Sequence, residues 1–377
     1  MVRKSEQMNL NRKEQYITLE GKTYSAADIA RLSASVNTQT PPMLAELYTF
    51  LTAWFDDSPT MRVHTSGSTG TPKELIVRKE QMMQSARLTC EVFKLAKGDT
   101  ALLCMPLRYI AGKMMVVRAL VGELNLIVRT PSGHPLADVK EKIRFAAMVP
   151  LQVYNTLDTP KELKRLRRID TLIIGGGPVT TQAWHKICQL PGEVYSTYGM
   201  TETLSHVALC RLNSDTSDSL TYHPLPGVKF SISPDHTLVI EAPLICDEAL
   251  TTNDVAALAP EGGFLILGRR DNTINSGGIK LQPEILEAWL QFVLPMPFVF
   301  TSVPHERLGE AVVLLVEGIL EIEKIRVLVE ANMPKHYRCG KYIIPVRQIP
   351  LTGNGKVDRV ACRELARSMF RTNVQES

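Results

Sequence analysis

The residues that first indicate chemistry form a loop of small side chains, "TSGSTGTPK" at 65–73. Glycine lets the main chain approach a ligand closely and the hydroxyls add hydrogen-bond donors, so the loop suits phosphate oxygens. In the P-loop pattern a lysine directly follows the last glycine and opens a helix. Here Thr71 and Pro72 separate Lys73 from Gly70, and a proline disfavours an immediate helix. The loop therefore predicts phosphate binding of another kind.

A second glycine-rich segment, "GGGP" at 175–178, follows the apolar run "TLII". Open α/β sheets bind ligands outside the carboxyl ends of their strands. Three glycines without side chains let a flat ring lie against the main chain. The sequence therefore predicts a second part of a ligand site at the end of this strand.

The elements that must position these loops alternate along the chain. Short apolar runs predict buried strands, namely "TALLCM", "LNLIVR", "FAAMVP", "TLII" and "EVYSTYG", and helical patterns such as 179–189 fall between several of them. Residues 220–268 predict a smaller antiparallel unit, and the last hundred residues an α+β domain that ends in a basic helix from Lys356. We expect an α/β fold with mixed, largely parallel sheets flanked by helices, divided into domains 1–270 and 271–377.

Composition excludes several classes of protein. The chain has 377 residues and a formal net charge of +4, which is too small to indicate a nucleic-acid-binding protein. The basic stretch "KELKRLRR" at 161–168 has no interleaved aromatic residues, so a solvated helix face is expected there. No apolar run reaches the roughly 18 residues of a membrane span. Seven scattered cysteines without a CxxC pair predict reduced thiols and a cytoplasmic protein.

Five ordered motifs resemble those of the adenylate-forming acyl-CoA synthetases, relatives of firefly luciferase and of peptide-synthetase adenylation domains. They are "TSGSTGTPK", "GGGP", "YGMTET", "GRRDNTINSGGIKLQPEILE" and "PLTGNGKVDR", and they extend from about residue 62 to about residue 360. The resemblance implies ATP and coenzyme A as substrates and Mg²⁺ as the metal cofactor. It also implies a carboxylic acid as the third substrate, which is first joined to AMP. Small molecules are thus the expected partners, and the sequence does not decide between a monomer and a dimer.

The resemblance also assigns residues to ATP. Tyr198 would face the adenine, Thr201 would reach the α-phosphate, and Glu202 would hold Mg²⁺. The implied catalytic residues are Lys356, Glu202 and Thr65. Lys356 matches the family's catalytic lysine, which stabilises charge while the acid attacks phosphorus. The implied nucleotide-binding residues are Thr65, Ser66, Gly67, Ser68, Thr69, Gly70, Lys73, Gly175, Gly176, Gly177, Tyr198, Gly199, Thr201, Asp254 and Arg269.

Asp254 and Arg269 would bind the ribose, since a carboxylate can accept two hydrogen bonds from a cis-diol. Asn253 stands where the family usually has glycine. Asp271 is the implied hinge, about which the small C-terminal domain rotates between the two reaction steps. Gly277 and Gly278 would line the tunnel for the pantetheine thiol, where a narrow wall has no room for a side chain.

The motifs are most similar to those of o-succinylbenzoate–CoA ligases of menaquinone biosynthesis. This acid has two carboxylates, and the one that does not react needs a cation or several donors. The expected acyl-pocket residues are Tyr109, which replaces the family's usual histidine, Arg108, Lys113, Ser205 and His206. The phosphate loop also begins earlier than in ordinary family members, so part of an N-terminal subdomain, and any pocket wall it supplies, is expected to be missing.

Two alternatives remain open from the sequence. The enzyme could activate another aromatic or aliphatic acid for a carrier-protein thiol, or the chain could be a non-catalytic relative that only binds nucleotide. The presence of Lys356, Glu202 and the phosphate loop together argues against the second alternative.

Overall fold

The computed structural model describes residues 8–64, 74–177, 179, 181–213, 221–291, 293–318, 321–333, 342–352 and 357–374. The helices in these ranges are α1 (Ala26–Ala34), α2 (Pro42–Phe55), α3 (Lys79–Val92), α4 (Ile110–Val121), α5 (Pro150–Asp158), α6 (Pro160–Leu166), α7 (Thr181–Ile187), α8 (Pro283–Leu290), α9 (Ile322–Asn332) and α10 (Arg359–Val374).

The strands are β1 (Ile17–Leu19), β2 (Lys22–Tyr24), β3 (Thr60–His64), β4 (Glu74–Arg78), β5 (Thr100–Leu103), β6 (Asn125–Val128), β7 (Phe145–Met148), β8 (Thr171–Ile174), β9 (Glu193–Gly199), β10 (His206–Arg211), β11 (His223–Pro224), β12 (Lys229–Ile232), β13 (Thr237–Glu241), β14 (Leu250–Leu258), β15 (Phe264–Arg269), β16 (Ile274–Ser276), β17 (Ile279–Leu281), β18 (Phe298–His305), β19 (Gly309–Glu317) and β20 (Tyr342–Val346).

A large sheet has the order β11-β10-β9-β8-β7-β5-β6-β1-β2 in the described part of the chain. The strands from β9 to β1 in this order run parallel, and the strands at both ends of the sheet are antiparallel. Parallel strands are covered on both faces, which explains why every residue of β7 and β8 is buried. The five apolar runs correspond to β5–β9, and the predicted fold class is confirmed.

Alternate residues of β5 and of the position that follows it enter two different cores. Ala101 and Leu103 belong to one apolar cluster, while Leu102 and Cys104 belong to another. This follows from the period of two along a strand, which points successive side chains to opposite faces of the sheet. Two helical layers, one on each face, therefore fix the strand ends at which ligand-binding loops begin.

A four-stranded sheet in the order β12-β13-β14-β15 accounts for the predicted smaller unit. β14 was not predicted, because its sequence "LTTNDVAAL" is polar in the first half. It pairs antiparallel with β15 in a register that sets Asp254 opposite Arg269. The predicted ribose pair thus lies on two neighbouring strands.

The described residues divide by their contacts into two compact units. The first lies within Met1–Phe230, Ile240–Leu250 and Pro260–Gly263, and the second within Ser231–Val239, Thr251–Ala259 and Phe264–Ser377. The predicted domains 1–270 and 271–377 were defined differently, by the implied hinge at Asp271. This division stays a prediction.

The C-terminal part of the second unit is a sheet in the order β17-β16-β19-β18, with β20 beside β19. α8 and α9 contribute to the apolar cluster on one face, and α10 to the cluster on the other. The last helix begins at Arg359 and not at the predicted Lys356, because Asp358 caps it: its carboxylate accepts the Ala361 N–H at 3.0 Å.

Candidate nucleotide and acyl site

The phosphate motif 65–73 lies outside the described residues, but the strands on both sides of it are described. β3 and β4 pair antiparallel, and His64 is the partner of Glu74. His64 also forms a parallel bridge with Tyr109, in the loop that follows β5. The residues that flank the motif, His64 and Glu74, are therefore paired with each other, and His64 adjoins the first loop of the predicted acyl pocket.

The glycine segment 175–177 follows β8, next to the ends of β7 and β9. The Gly175 N–H donates to the Met148 carbonyl at 3.1 Å, and the Thr197 hydroxyl donates to the Ile174 carbonyl at 3.1 Å. A Cβ at Gly175 would lie 2.6 Å from the Thr197 hydroxyl oxygen, and Gly176 has φ +88°. Gly175 is required because a side chain would collide with Thr197, and Gly176 is required because its backbone has a positive φ.

Substitution of Gly175 by alanine is expected to lower the free energy of unfolding by about 1–3 kcal/mol, because the new Cβ must displace Thr197. Urea denaturation measures this loss. Thr197→Ala removes the obstructing hydroxyl, so the double variant is expected to be more stable than Gly175→Ala alone, although it lacks the hydrogen bond to Ile174. A double variant that loses the sum of both single effects would contradict this explanation.

Tyr198 lies at the end of β9, and its ring is half-buried. Two aromatic rings contact it edge-on, Tyr222 with centroids at 5.9 Å and Phe230 at 6.5 Å. Such contacts fix the plane of the ring that is predicted to face the adenine. Gly199 follows, and a Cβ there would lie 2.2 Å from the Ser205 carbonyl oxygen, so only glycine fits.

The turn 200–205 depends on Thr203, which the sequence analysis did not single out. The buried Thr203 hydroxyl accepts the Met200 N–H at 2.9 Å and lies 2.7 Å from the Ser205 carbonyl oxygen. Leu204 has φ +63°, an unusual conformation for a leucine. Thr203 therefore shapes the turn that carries Thr201 and Glu202. The sequence "TET" alone does not show that its second threonine supports the turn while the first is the predicted ligand contact.

Glu202 is exposed, and its carbonyl accepts the Cys246 thiol at 3.4 Å. No group of three or more metal-ligating side chains occurs among the described residues. A single accessible carboxylate nevertheless fits Mg²⁺, which is commonly held by one or two carboxylates together with substrate phosphates. Glu202 as the metal ligand stays a prediction.

The loop after β5 carries two of the predicted acyl-pocket residues. The Arg108 guanidinium lies over the Tyr109 ring, 4.7 Å from its centroid. The Lys113 ammonium donates to the Arg62 carbonyl at 2.9 Å, and burial lowers the pKa of Lys113. Lys113 thus ties α4 to β3, the strand that leads into the phosphate motif.

Arg118 is a cation that the sequence analysis missed. It is 2% exposed within α4, donates to the Ser205 hydroxyl, and lies 6.0 Å from the Phe145 ring centroid. Its Nε has no hydrogen-bond partner among the described residues, and none of their carboxylates pairs with it. Burial lowers the pKa of Arg118 to about 10, which still leaves it charged at neutral pH. The only signal in the sequence is one arginine within the apolar run "MMVVRALV".

Ser205 and His206, both predicted acyl-pocket residues, adjoin Arg118. The His206 ring is 4% exposed, with its nitrogens 3.3 Å from the Ser205 hydroxyl and 3.4 Å from the Thr89 hydroxyl. Burial and the nearby Arg118 charge lower the pKa of His206 well below its ordinary value. His206 is therefore neutral at physiological pH, and Arg118 is the cation of this cluster.

The stability of the protein is expected to depend on pH through His206. Because its folded pKa is lowered, the unfolded chain binds more protons below pH 6.5, and the free energy of unfolding falls as the pH falls through that value. One such group contributes a slope of at most about 1.4 kcal/mol per pH unit. Urea denaturation between pH 5 and 8 should show a shallower fall for His206→Asn. Parallel curves for the two proteins would contradict the lowered pKa.

In the second unit the structure brings three predicted residues together. One guanidinium nitrogen of Arg269 lies 3.2 Å from an Asp254 carboxylate oxygen, and the other terminal nitrogen lies 3.7 Å from an Asp271 carboxylate oxygen. The Asn253 amide donates to Asp271 at 3.2 Å. The implied ribose pair and the implied hinge residue thus share one polar network, and their roles stay predictions.

Gly277 and Gly278 form the two-residue turn between β16 and β17, with φ +59° and +83°. Two-residue hairpins of this type require positive φ at both positions, which glycine adopts without strain. The turn alone explains both glycines, and their place in a thiol tunnel stays a prediction.

Residues 10–240, more than half of the chain, match the family model described as "AMP-binding enzyme". The chain belongs to the AMP-binding enzyme family, and the predicted resemblance is confirmed. A solved structure of an acyl-CoA synthetase (AMP-forming)/AMP-acid ligase II-like protein from Dyadobacter fermentans is 30% identical, with a TM-score of 0.60, and the match covers 88% of this chain and 97% of that chain.

Two further proteins are similar to this chain. A 2-succinylbenzoate--CoA ligase of Lactococcus lactis is 25% identical over 325 residues, which cover 81% of this chain and 70% of that protein. The O-succinylbenzoate coenzyme A synthetase of Bacillus subtilis, solved with ATP and magnesium, is 18% identical with a TM-score of 0.67, and the match covers 79% of this chain and 68% of that chain. At that identity the second likeness concerns the fold alone. None of the helices in the described part is long and apolar enough to span a membrane.

Proposed function

We propose that the chain is an o-succinylbenzoate–CoA ligase that works in two steps. In the first step, a carboxylate oxygen of the acid attacks the α-phosphorus of ATP, and pyrophosphate leaves. In the second step, the thiolate of coenzyme A attacks the acyl carbonyl and AMP leaves, which gives the CoA thioester. The names of the related ligases support this acid, and the family supports the adenylate intermediate.

The observation that carries the choice of acid is the buried Arg118. No carboxylate among the described residues pairs with Arg118, and a buried unpaired cation is costly unless a ligand supplies the opposite charge. o-Succinylbenzoate retains one carboxylate after the other has reacted, so it can supply that charge. Ser205, which accepts a hydrogen bond from Arg118, is three residues from Glu202 and thus connects this cation to the predicted metal residue.

The residues of the chain would divide the remaining work. The hydroxyls and N–H groups of the motif 65–73 would hold the phosphates, and Asp254 with Arg269 would orient the ribose. Bound through Glu202 and the phosphates, Mg²⁺ would neutralise charge on the departing pyrophosphate. Lys356 would stabilise the charge that develops between carboxylate and phosphate oxygens. We also infer a cytoplasmic location, because the six cysteines of the described part are all free thiols.

A panel of carboxylic acids tests the proposal, with AMP and CoA thioester both quantified. We expect the highest kcat/KM for o-succinylbenzoate, a much lower value for benzoate, and equal amounts of AMP and thioester. A preference for long fatty acids would refute the proposed acid. Adenylate without free CoA thioester would favour transfer to a carrier-protein thiol, and absence of ATP–pyrophosphate exchange with every acid would favour a non-catalytic nucleotide-binding protein.

A further inference from the structure

A largely covered ion pair, with about a fifth of each side chain exposed, joins two helices of the second unit. Arg359, the first residue of α10, donates to both carboxylate oxygens of Glu287 in α8, at 2.6 and 2.7 Å. It also donates to the Phe300 carbonyl at 3.1 Å, and the Phe300 N–H donates back to Glu287 at 2.8 Å. A two-pronged contact of this kind fixes orientation as well as distance. The start of α10 is therefore held in one position against α8 and β18.

The contacts continue from Arg359 towards the implied hinge. Arg359 lies 3.7 Å from a Glu284 carboxylate oxygen, and the same oxygen accepts the Asn272 amide at 2.5 Å. Asn272 directly follows Asp271 in the sequence. A Cβ at Gly268 would lie 2.5 Å from the other Glu284 oxygen, so this carboxylate packs directly on the strand that precedes the hinge. Polar contacts thus connect the hinge segment with the first turn of α10.

Other contacts fix the chain on both sides of the segment 353–356, which itself lies outside the described residues. Leu351 forms an antiparallel bridge with Val357, and the Asp358 N–H donates to the Pro350 carbonyl at 2.9 Å. Arg359 follows two residues after Val357. The ion pair therefore determines where the chain resumes immediately after Lys356.

We propose that Glu287 and Arg359 are positioning residues for the first reaction step: they hold in place the chain that directly follows Lys356, the predicted catalytic lysine. This rests on the proposed adenylation by Lys356. A charge that stabilises a transition state must be placed to within about 0.5 Å, so rigid support beside it affects the rate. An ion pair that served stability alone could be replaced by apolar residues of similar size without loss.

The double variant Glu287→Leu/Arg359→Met separates the two roles. Two rates are measured: ATP–pyrophosphate exchange, which reports acyl-adenylate formation, and thioester formation from CoA and preformed acyl-adenylate. We expect a 10- to 100-fold lower kcat for adenylate formation, an unchanged KM for ATP, and thioester formation within twofold of wild type. Arg359→Lys keeps the charge but loses the two-pronged contact, and an intermediate loss confined to the first step is expected.

Lys79→Met is the matched control, since it removes another ion pair, in which the buried Lys79 contacts the half-exposed Asp56 at 2.7 Å in the first unit. Any loss in this control should affect both steps equally, in proportion to the folded fraction. Wild-type rates of both steps in the double variant, or equal losses in both, would overturn the proposal, and if that variant does not fold, Arg359→Lys decides by the same criterion. The exchange assay uses whichever acid wild type activates best, so failure with o-succinylbenzoate refutes only the acid.

Discussion

Replacement of Lys356 by alanine is expected to slow acyl-adenylate formation about 10²- to 10³-fold, the usual effect of removing one preorganised charge-stabilising group. The flanking residues Leu351 and Val357 form an antiparallel bridge that the substitution leaves unchanged, so the loss should come from the missing ammonium. Thioester formation from preformed acyl-adenylate should persist, because no charge then develops on phosphorus by attack of the acid. ATP–pyrophosphate exchange and single-turnover thioester formation measure the two rates.

Lys324→Ala provides the control for this experiment. Lys324 is an exposed lysine of α9 that pairs with Glu321 at 2.8 Å, and exposed pairs of this kind contribute little to stability. Wild-type rates are expected for it in both steps. Exchange at the wild-type rate in Lys356→Ala would refute the assignment of the catalytic lysine.

The second large effect is expected from Arg118→Met, which should lower kcat/KM for o-succinylbenzoate by roughly 30- to 1,000-fold. That range corresponds to about 2–4 kcal/mol, within the usual cost of removing one partner of a buried charge pair. Benzoate lacks the second carboxylate, so its kcat/KM should change far less. Thermal stability should not fall, because methionine suits the apolar surroundings that α4 gives this position. Kinetics with both acids and a thermal melt measure these effects.

Arg144→Met is the matched control in the same unit. Arg144 supports the fold, since it donates to the Phe93 carbonyl at 2.8 Å and to the Thr171 hydroxyl at 2.7 Å. Its loss should lower stability and reduce activity with both acids in parallel. If Arg118→Met behaved in the same way, Arg118 would be a structural residue and the preferred acid would need another explanation.

The sequence predicted those parts of the fold that short-range pattern determines. Short runs of four to seven residues identified β5–β9, and the alternation with helices predicted the parallel sheet. The glycines of "GGGP" were recognised as a loop, and the structure supplies their reasons, contact with Thr197 at Gly175 and positive φ at Gly176.

What the sequence did not reveal depends on contacts between distant residues. Arg118 meets Ser205, 87 positions away, and Arg359 meets Glu287, 72 positions away. The contacts of a side chain also do not follow from its type: the Lys113 ammonium donates to the Arg62 carbonyl, and the place of Lys113 in the acyl pocket stays a prediction. β14 was missed because its first half is polar, and its second half is identified only by its pairing with β15 from Asp254 to Leu258.

The thiol of Cys246, which meets the Glu202 carbonyl, has a further consequence for an enzyme that makes a reactive acyl group. Burial raises the pKa of Cys246 to about 11, and that of Cys90 and Cys104 to about 12. At pH 7 about one in ten thousand Cys246 side chains is then ionised, and the thiolate is the nucleophilic form. Almost no thiolate from these positions is therefore available to attack the acyl-adenylate, a mixed anhydride, before coenzyme A does. The high thiol pKa values thus protect the chain against acylation of its own cysteines.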